Sequence, residues 1–158
     1  MVKLESTKPK RIDEIDFKII KILQEDSRLS FNKIASTLGI SVGTAYNRVK
    51  NLEDQGILKG YTVIVDPYRL GFTLTAIILI QAEGAHLVEV EEKIAKIENV
   101  ISVYDITGDF DVAVIARFKD RNGLNAFVKN LISIPYIKRT VTNVVLNVVK
   151  EDFRACMP

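Results

Sequence analysis

Thr44, Asn47, Lys50 and Asn51 fall within eight residues, at a spacing that suits a helix able to read a nucleic acid. An asparagine amide pairs a donor with an acceptor and so matches the edge of a base in the major groove. A threonine touches a thymine methyl or bonds a base, and a lysine reaches phosphate or guanine. Ser41 and the first free N–H groups of the same helix would fit a phosphate. Gly43 keeps this side small enough to enter a groove about 12 Å wide. Arg48 lies beside the apolar stripe of the helix, which leaves two partners open: a phosphate, or an acid on a preceding helix. A polar helix face is also what simple solvation produces. What favours reading over solvation is the ordered set of short helices, glycine turn, serine cap and Thr/Asn/Lys face.

Other chemistries find little to work with. Cys156 is the only cysteine and His86 the only histidine. A lone thiol makes no internal disulfide, and one Cys with one His cannot supply the four ligands of a structural zinc site. No metal, no organic cofactor and no catalytic residue are expected. Cys156 reads as incidental and His86 as a surface or capping histidine at the start of a helix. The stretch Met1–Arg11 has no apolar core of the kind a signal peptide carries. The longest apolar run, Ala76 to Ile80, is far short of the roughly 20 residues that cross a bilayer. No membrane association is expected, and the cytoplasm is the default location.

The chain has 158 residues, 47% of them hydrophobic and 27% charged, with a net charge of only +2. The first 70 residues carry 12 Lys/Arg against 9 Asp/Glu, whereas the remainder carries 10 against 11. A polyanion therefore prefers the first half. Residues 1–11 read as a basic tail. Asp13 is placed to cap a helix carrying Ile15, Ile19, Ile22 and Leu23. Leu29-Ser30 restarts the chain into a short helix with Ile34, Ala35 and Leu38, and Gly39 stops it. Ser41 caps a third helix that runs to about Gln55 and ends at Gly56. Ala45, Val49 and Leu52 form its buried stripe; Gly43, Thr44, Asn47, Lys50, Asn51 and Asp54 lie opposite. Three helices with a tight glycine turn form a helix-turn-helix domain over 12–65. Within it, the alternation of Leu58, Tyr61, Val63 and Val65 predicts a strand. Asp66-Pro67 and Gly71 mark a linker at 66–71.

Residues 72–152 predict a second domain. Phe72 to Ala82 reads as a strand, and Leu87, Val90, Ile94 and Ile97 mark a helix. Val100–Thr107 and Val112–Phe118 are strands joined by the turn Gly108-Asp109-Phe110-Asp111. Leu124, Phe127, Val128, Leu131 and Ile132 stripe a second helix that Pro135 ends, and Ile137–Val149 is a long last strand. This βαββαβ order is the ferredoxin-like split βαβ unit, and the whole chain is of the α+β class. Two helices cover one face of such a sheet. Yet Ala76 to Ile80, Val112 to Ala116 and Val144 to Leu146 are apolar at consecutive positions, so the other face is apolar too. The simplest cover is the same face of a second copy in a two-fold homodimer; the linker or the N-terminal domain is the alternative. Such a dimer sets two reading helices at the spacing of DNA half-sites.

The sequence resembles the Lrp/AsnC family, the feast/famine regulators of bacteria and archaea, from Ile12 to about Val149. The resemblance is carried by Ile12 to Asp16, Ile22 to Arg28, Ile34-Ala35, Gly39-Ile40-Ser41, Thr44, Asn47-Arg48-Val49, Leu52-Glu53 and Gly56-Ile57-Leu58. It continues in Asp66-Pro67, Leu70-Gly71, Thr107 to Asp111 and Thr140-Val141-Thr142. It implies a winged helix-turn-helix joined to a RAM/ACT-like domain that dimerises, assembles further (often to octamers) and binds an amino-acid effector near the loop matched by Gly108 to Asp111. The chemistry is reasonable there. Asp109 or Asp111, helped by Asp105, would hold the effector's ammonium, and backbone N–H groups around Thr107, Gly108 and Phe110 its carboxylate. Thr140, Thr142 and Asn143 would meet the side chain. The same Gly-Asp pair is also an ordinary hairpin turn. Asn143, where relatives often carry an apolar residue, leans the effector toward a polar amino acid such as glutamine. The expected function is thus an effector-responsive, sequence-specific regulator of transcription acting on double-stranded DNA. Two alternatives stand beside it: an effector-free architectural DNA-binding protein, and an enzyme resembling sirohaem decarboxylases, for which His86 has few partners.

Overall fold

Local capping chemistry sets the first three helices. The computed structural model describes residues 12–155, so the basic tail expected at 1–11 and Cys156 lie outside the described residues. Helix α1 (Glu14–Glu25) opens on a reciprocal cap, in which Asp13 Oδ1 accepts from the Asp16 amide and Asp16 Oδ2 from the Asp13 amide. Helix α2 (Phe31–Leu38) is capped by Ser30, whose Oγ accepts from the Lys33 amide. It ends on Gly39 at φ 67°, a left-handed conformation that glycine adopts without a Cβ clash. Helix α3 (Val42–Asp54) follows α2 after three residues, Gly39, Ile40 and Ser41. Ile19, Ile20, Leu23, Ile34, Ala35, Ala45, Val49 and Leu52 close one core between the three helices.

The predicted strand over Ile57–Asp66 does not form: residues 59–66 belong to no helix and no ladder. Strand geometry requires a neighbour to take the backbone N–H and C=O groups, and no ladder among the described residues includes this stretch. Val63, Ile64 and Val65 are accordingly 78, 87 and 54% exposed.

The chain divides into two compact units, one reaching Val63 and including the segment from Asp152, the other spanning Ile64–Glu151. The segment at 66–71 groups with the second unit, where Asp66 Oδ1 accepts from the Tyr68 amide and Pro67 O from the Phe72 amide.

In that second unit β1 (Leu74–Ala82), α4 (Leu87–Ala95), β2 (Val100–Asp105), β3 (Val112–Phe118), α5 (Arg121–Ser133) and β4 (Ile137–Val144) follow one another. The strands form one antiparallel sheet in the order β2-β3-β1-β4. Every second residue of β1 and β3 is buried: Ala76, Ile78, Ile80 and Ala82, and Val112, Val114, Ala116 and Phe118. They pack with Val90 and Ile94 of α4 and with Leu124, Phe127 and Leu131 of α5. Ile132, read as part of the α5 stripe, is 60% exposed, because one step along a helix turns it about 100° from Leu131. The last strand stops at Val144, five residues before the predicted end. Its partner β1 begins at Leu74, so the ladder runs out after the Val145 amide bonds Thr75 O, and Leu146 is 98% exposed.

Candidate functional site

The face of α3 expected to read DNA is laid out as its periodicity requires. Ala45, Val49 and Leu52 are at most 3% exposed, whereas Ser41, Gly43, Thr44, Asn47, Lys50, Asn51 and Asp54 are all exposed. Ser41 Oγ accepts from the Thr44 amide at 3.1 Å and lies 2.8 Å from Thr44 Oγ1. The cap thereby fixes the first turn and leaves Thr44 tied to Ser41.

Arg48 resolves in favour of its acidic partners. Its Nη1 donates to Asp13 Oδ2 at 2.7 Å and to Asp16 Oδ1 at 2.8 Å, so this guanidinium clamps α3 onto the capping box of α1 instead of facing outward. Asp16 is the one buried polar residue among those described. The amide of Asp16 and then Arg48 hold the Asp13 carboxyl below its usual range. Tyr61 OH donates to Glu53 Oε1 at 2.8 Å; burial first, and this carboxylate second, push the phenol up to about 12.

Sequence reasoning missed two aromatic residues on this domain. Tyr46 and Phe31 meet edge to face, with centroids 5.3 Å apart and planes at 82°, and are 47 and 37% exposed. Tyr46 stands at i+3 from Gly43, and that spacing is the signal that places it on the same stripe as Asn47 and Lys50.

The residues expected to bind an effector are brought only partly together. Asp105, the last residue of β2, is exposed; in the loop that follows it Thr107, Gly108 and Asp109 are exposed, and Phe110 and Asp111 are half-buried. The loop is closed by the Ile106 amide donating to Asp111 O. The Asp111 carboxylate is engaged in the fold: Oδ2 accepts from the Ala82 amide at 2.8 Å, and the Asp111 amide donates to Ile80 O. That leaves Asp109 of the loop and Asp105 at the end of β2 as the exposed carboxylates. Arg139 of β4, not singled out from sequence, lies 5.5 Å from the centre of the Phe110 ring.

Thr140 pairs with Ile80 and Thr142 with Ile78, so both share the helix-covered face, whereas Asn143 pairs with Ile77 on the opposite face. There Asn143 Nδ2 donates to Ile77 O at 3.3 Å. Successive strand residues point to opposite faces, so Asn143 cannot join Thr140 and Thr142 around one ligand side chain within this chain. Two cavities of the second unit, about 590 and 500 Å³, are lined by Phe72, Asn99 and Asp120 and by Tyr68, Arg117 and Leu146. Both lie at the other end of β3 from the loop.

His86 occupies the N-cap position of α4 without a side-chain cap bond. Its ring stacks on Tyr136 at 3.6 Å, and Nδ1 lies 3.6 Å from Glu89 Oε2. Among the described residues no group of three His, Cys, Asp or Glu is placed to hold a metal ion. Among them, too, no helix is long and apolar enough to cross a membrane.

Residues 12–59 match the model of a winged helix-turn-helix DNA-binding domain, and residues 75–155 that of the Lrp/AsnC ligand binding domain. The chain is 50% identical to an uncharacterised HTH-type transcriptional regulator of Pyrococcus abyssi and 49% identical to one of Pyrococcus furiosus. Both comparisons span 90% of this chain and 97% of the relative. Its fold is similar to that of a Neisseria meningitidis transcriptional regulator in complex with L-methionine, with a TM-score of 0.85 and 28% identity over 92% of this chain and 97% of that one. These relatives regulate transcription, and the decarboxylase reading is set aside with them. With both units matched, and half the residues shared with HTH-type regulators over nearly their whole length, the chain belongs to the Lrp/AsnC family of DNA-binding transcription regulators.

Proposed function

We propose that this regulator binds duplex DNA as a two-fold dimer, reads it with the exposed face of α3, and couples binding to an amino acid held at the Gly108–Asp111 loop. The observation that carries the reading is the partition of α3: three apolar residues face the core, and Thr44, Asn47, Lys50 and Asn51 face outward. Dimerisation is supported by the uncovered face of the sheet. Ile77, Leu79, Ala113, Ile115 and Val141 share it by register with Tyr104, and Ile77 and Tyr104 are 40 and 52% exposed. An apolar surface of this kind marks an interface, and a closed pair covers it with one symmetric contact.

The Neisseria regulator is bound to L-methionine, and the exposed Asp109 and Asp105 suit the ammonium group that every amino acid carries. With the loop at an open end of the sheet, a neighbouring copy completes the site, and assembly proceeds beyond the dimer to an octamer in the cytoplasm. Calorimetric titration with each of the twenty amino acids, paired with gel shifts on the protein's own promoter, tests both halves. Heat and an altered shift with at least one amino acid are expected. Silence from all twenty would leave an effector-free DNA-binding protein. A stable single copy at micromolar concentration that ignores duplex DNA in low salt overturns the whole reading.

A further inference from the structure

Gly43 has no internal reason to be glycine. Its φ is not in the left-handed region, and a Cβ built on it would meet nothing closer than Ser41 Oγ at 4.0 Å. Within a helix glycine is less favourable than alanine because it surrenders more backbone freedom on folding. The fold would accept a methyl group here and gain from it, so the reason for leaving the space empty lies outside the chain.

Tyr46 follows Gly43 by three residues, one helical turn along the same side of α3. Gly43, Tyr46, Asn47 and Lys50 follow at i, i+3, i+4 and i+7, one stripe of a helix, and all four are exposed. Half-exposed aromatic rings are usually free to turn, but Tyr46 is braced edge to face by Phe31, the first residue of α2. Neither ring belongs to the core that holds the three helices together. The stripe therefore offers a bare backbone notch, a fixed apolar wall and, next along the helix, an amide with paired donor and acceptor.

Of the four bases only thymine carries a methyl group on its major-groove edge, and its partner adenine presents the donor and acceptor that an asparagine amide matches. We propose that Gly43 and Tyr46 form a seat for a thymine methyl, making Tyr46 a specificity-determining residue beside Asn47. The inference rests on α3 being the reading helix. The seat continues the reading face without a break, and its occupant is a thymine-bearing base pair of duplex DNA.

Operators selected by the wild-type protein from random duplexes supply the probe. Each thymine is replaced in turn by deoxyuridine, which differs only in lacking the methyl group, and affinity is read by fluorescence anisotropy. Within each half-site one replacement weakens wild-type binding about fourfold, the worth of one buried methyl-sized group. Gly43→Ala fills the notch and Tyr46→Ala removes the wall; both bind the thymine and deoxyuridine duplexes equally. Tyr46→Phe keeps the wall and keeps the discrimination. Gly43→Ala also melts at a higher temperature than wild type, which separates lost reading from lost folding.

If deoxyuridine is silent at every position, or if its penalty survives intact in both Gly43→Ala and Tyr46→Ala, the seat does not exist. Asn47→Ala and Lys50→Ala separate that failure from failure of the underlying reading. The first should relax selectivity at one base pair, and the second should weaken binding to all sequences and lower the salt dependence by about one ion. No effect from either would show that another element reads the DNA.

Discussion

Helix α3 and strand β1 both carry apolar residues toward a core, but they differ on the side that faces away. Behind Ala45, Val49 and Leu52, α3 turns outward Gly43, Thr44, Asn47 and Lys50. Between Ala76, Ile78 and Ile80, β1 turns outward Ile77 and Leu79, and β3 likewise turns outward Ala113 and Ile115. The helix is finished as a surface once its core side is buried, and what remains suits water or a polyanion. The sheet is not finished. Its second face has the composition of an interior and lacks a cover among the described residues, which is the mark of an interface still to be made. One region thus has the outer side of a solvated helix, and the other the outer side of an interior.

The sharpest way to break this contrast is to place a charge on the uncovered face. Ile77→Lys alters a position already 40% exposed, so the single chain should keep its fold. A dimer would have to bury the ammonium unpaired, and self-association measured by analytical ultracentrifugation should weaken by about 100-fold or more. Unchanged association would mean that another surface holds the copies together. The next test probes what orients the helix. Arg48→Ala leaves the Asp16 carboxylate, whose side chain is only 12% exposed, without its guanidinium. The first unit should lose about 2 kcal/mol, read from its melting transition, with the second unaffected. Equal melting in both proteins would reduce the clamp to a surface ion pair.

The smallest effect sharpens the comparison through pH. Asp13 titrates below its usual range because the Asp16 amide and Arg48 favour its charged form. Its stabilisation is therefore present above the ordinary aspartate pKa and is lost as the pH falls through the depressed value. Glu91 is raised, first by burial and then by Asp105, and its Oε1 is buried without a hydrogen-bond partner. Its contribution is complete below the ordinary glutamate pKa and is lost as the pH rises through the raised value. Acidification should thus weaken the Asp13 contribution in the first unit and relieve Glu91 in the second, where Glu89, held below its usual range by Lys93, acts in the opposite sense. Glu91→Gln should raise the melting temperature of the second unit at neutral pH and flatten its response to pH. A Glu91→Gln protein that melts and responds to pH as the wild type does would show that the buried Glu91 carboxyl carries no such burden.

Much of the fold was legible wherever local chemistry is sufficient. Asp13 and Ser41 read as caps because their short oxygens can meet only the amides two or three residues ahead, and both do. The exposed side of α3 followed from its period alone. The same attention to period would have separated Thr142 from Asn143, since adjacent strand residues cannot share a face. What stayed hidden depends on partners remote in the chain. The choice of Arg48 between phosphate and carboxylate was settled by acids 32 and 35 residues away, and the pairing of Phe31 with Tyr46 needed α2 and α3 to be packed first. The strand expected at 57–66 failed for a related reason: alternation records that a segment could pair, not that an edge is there to receive it.

By itself the sequence determined most of the elements and their buried sides, because capping and periodicity act within a few residues. Tertiary structure decided which strand lies beside which. It engaged the Asp111 carboxylate with the Ala82 amide, drew Arg48 inward and braced Tyr46 against Phe31. Those outcomes turn on distances of about 3 to 5 Å between residues far apart in the chain, and such distances exist only once the chain has closed on itself.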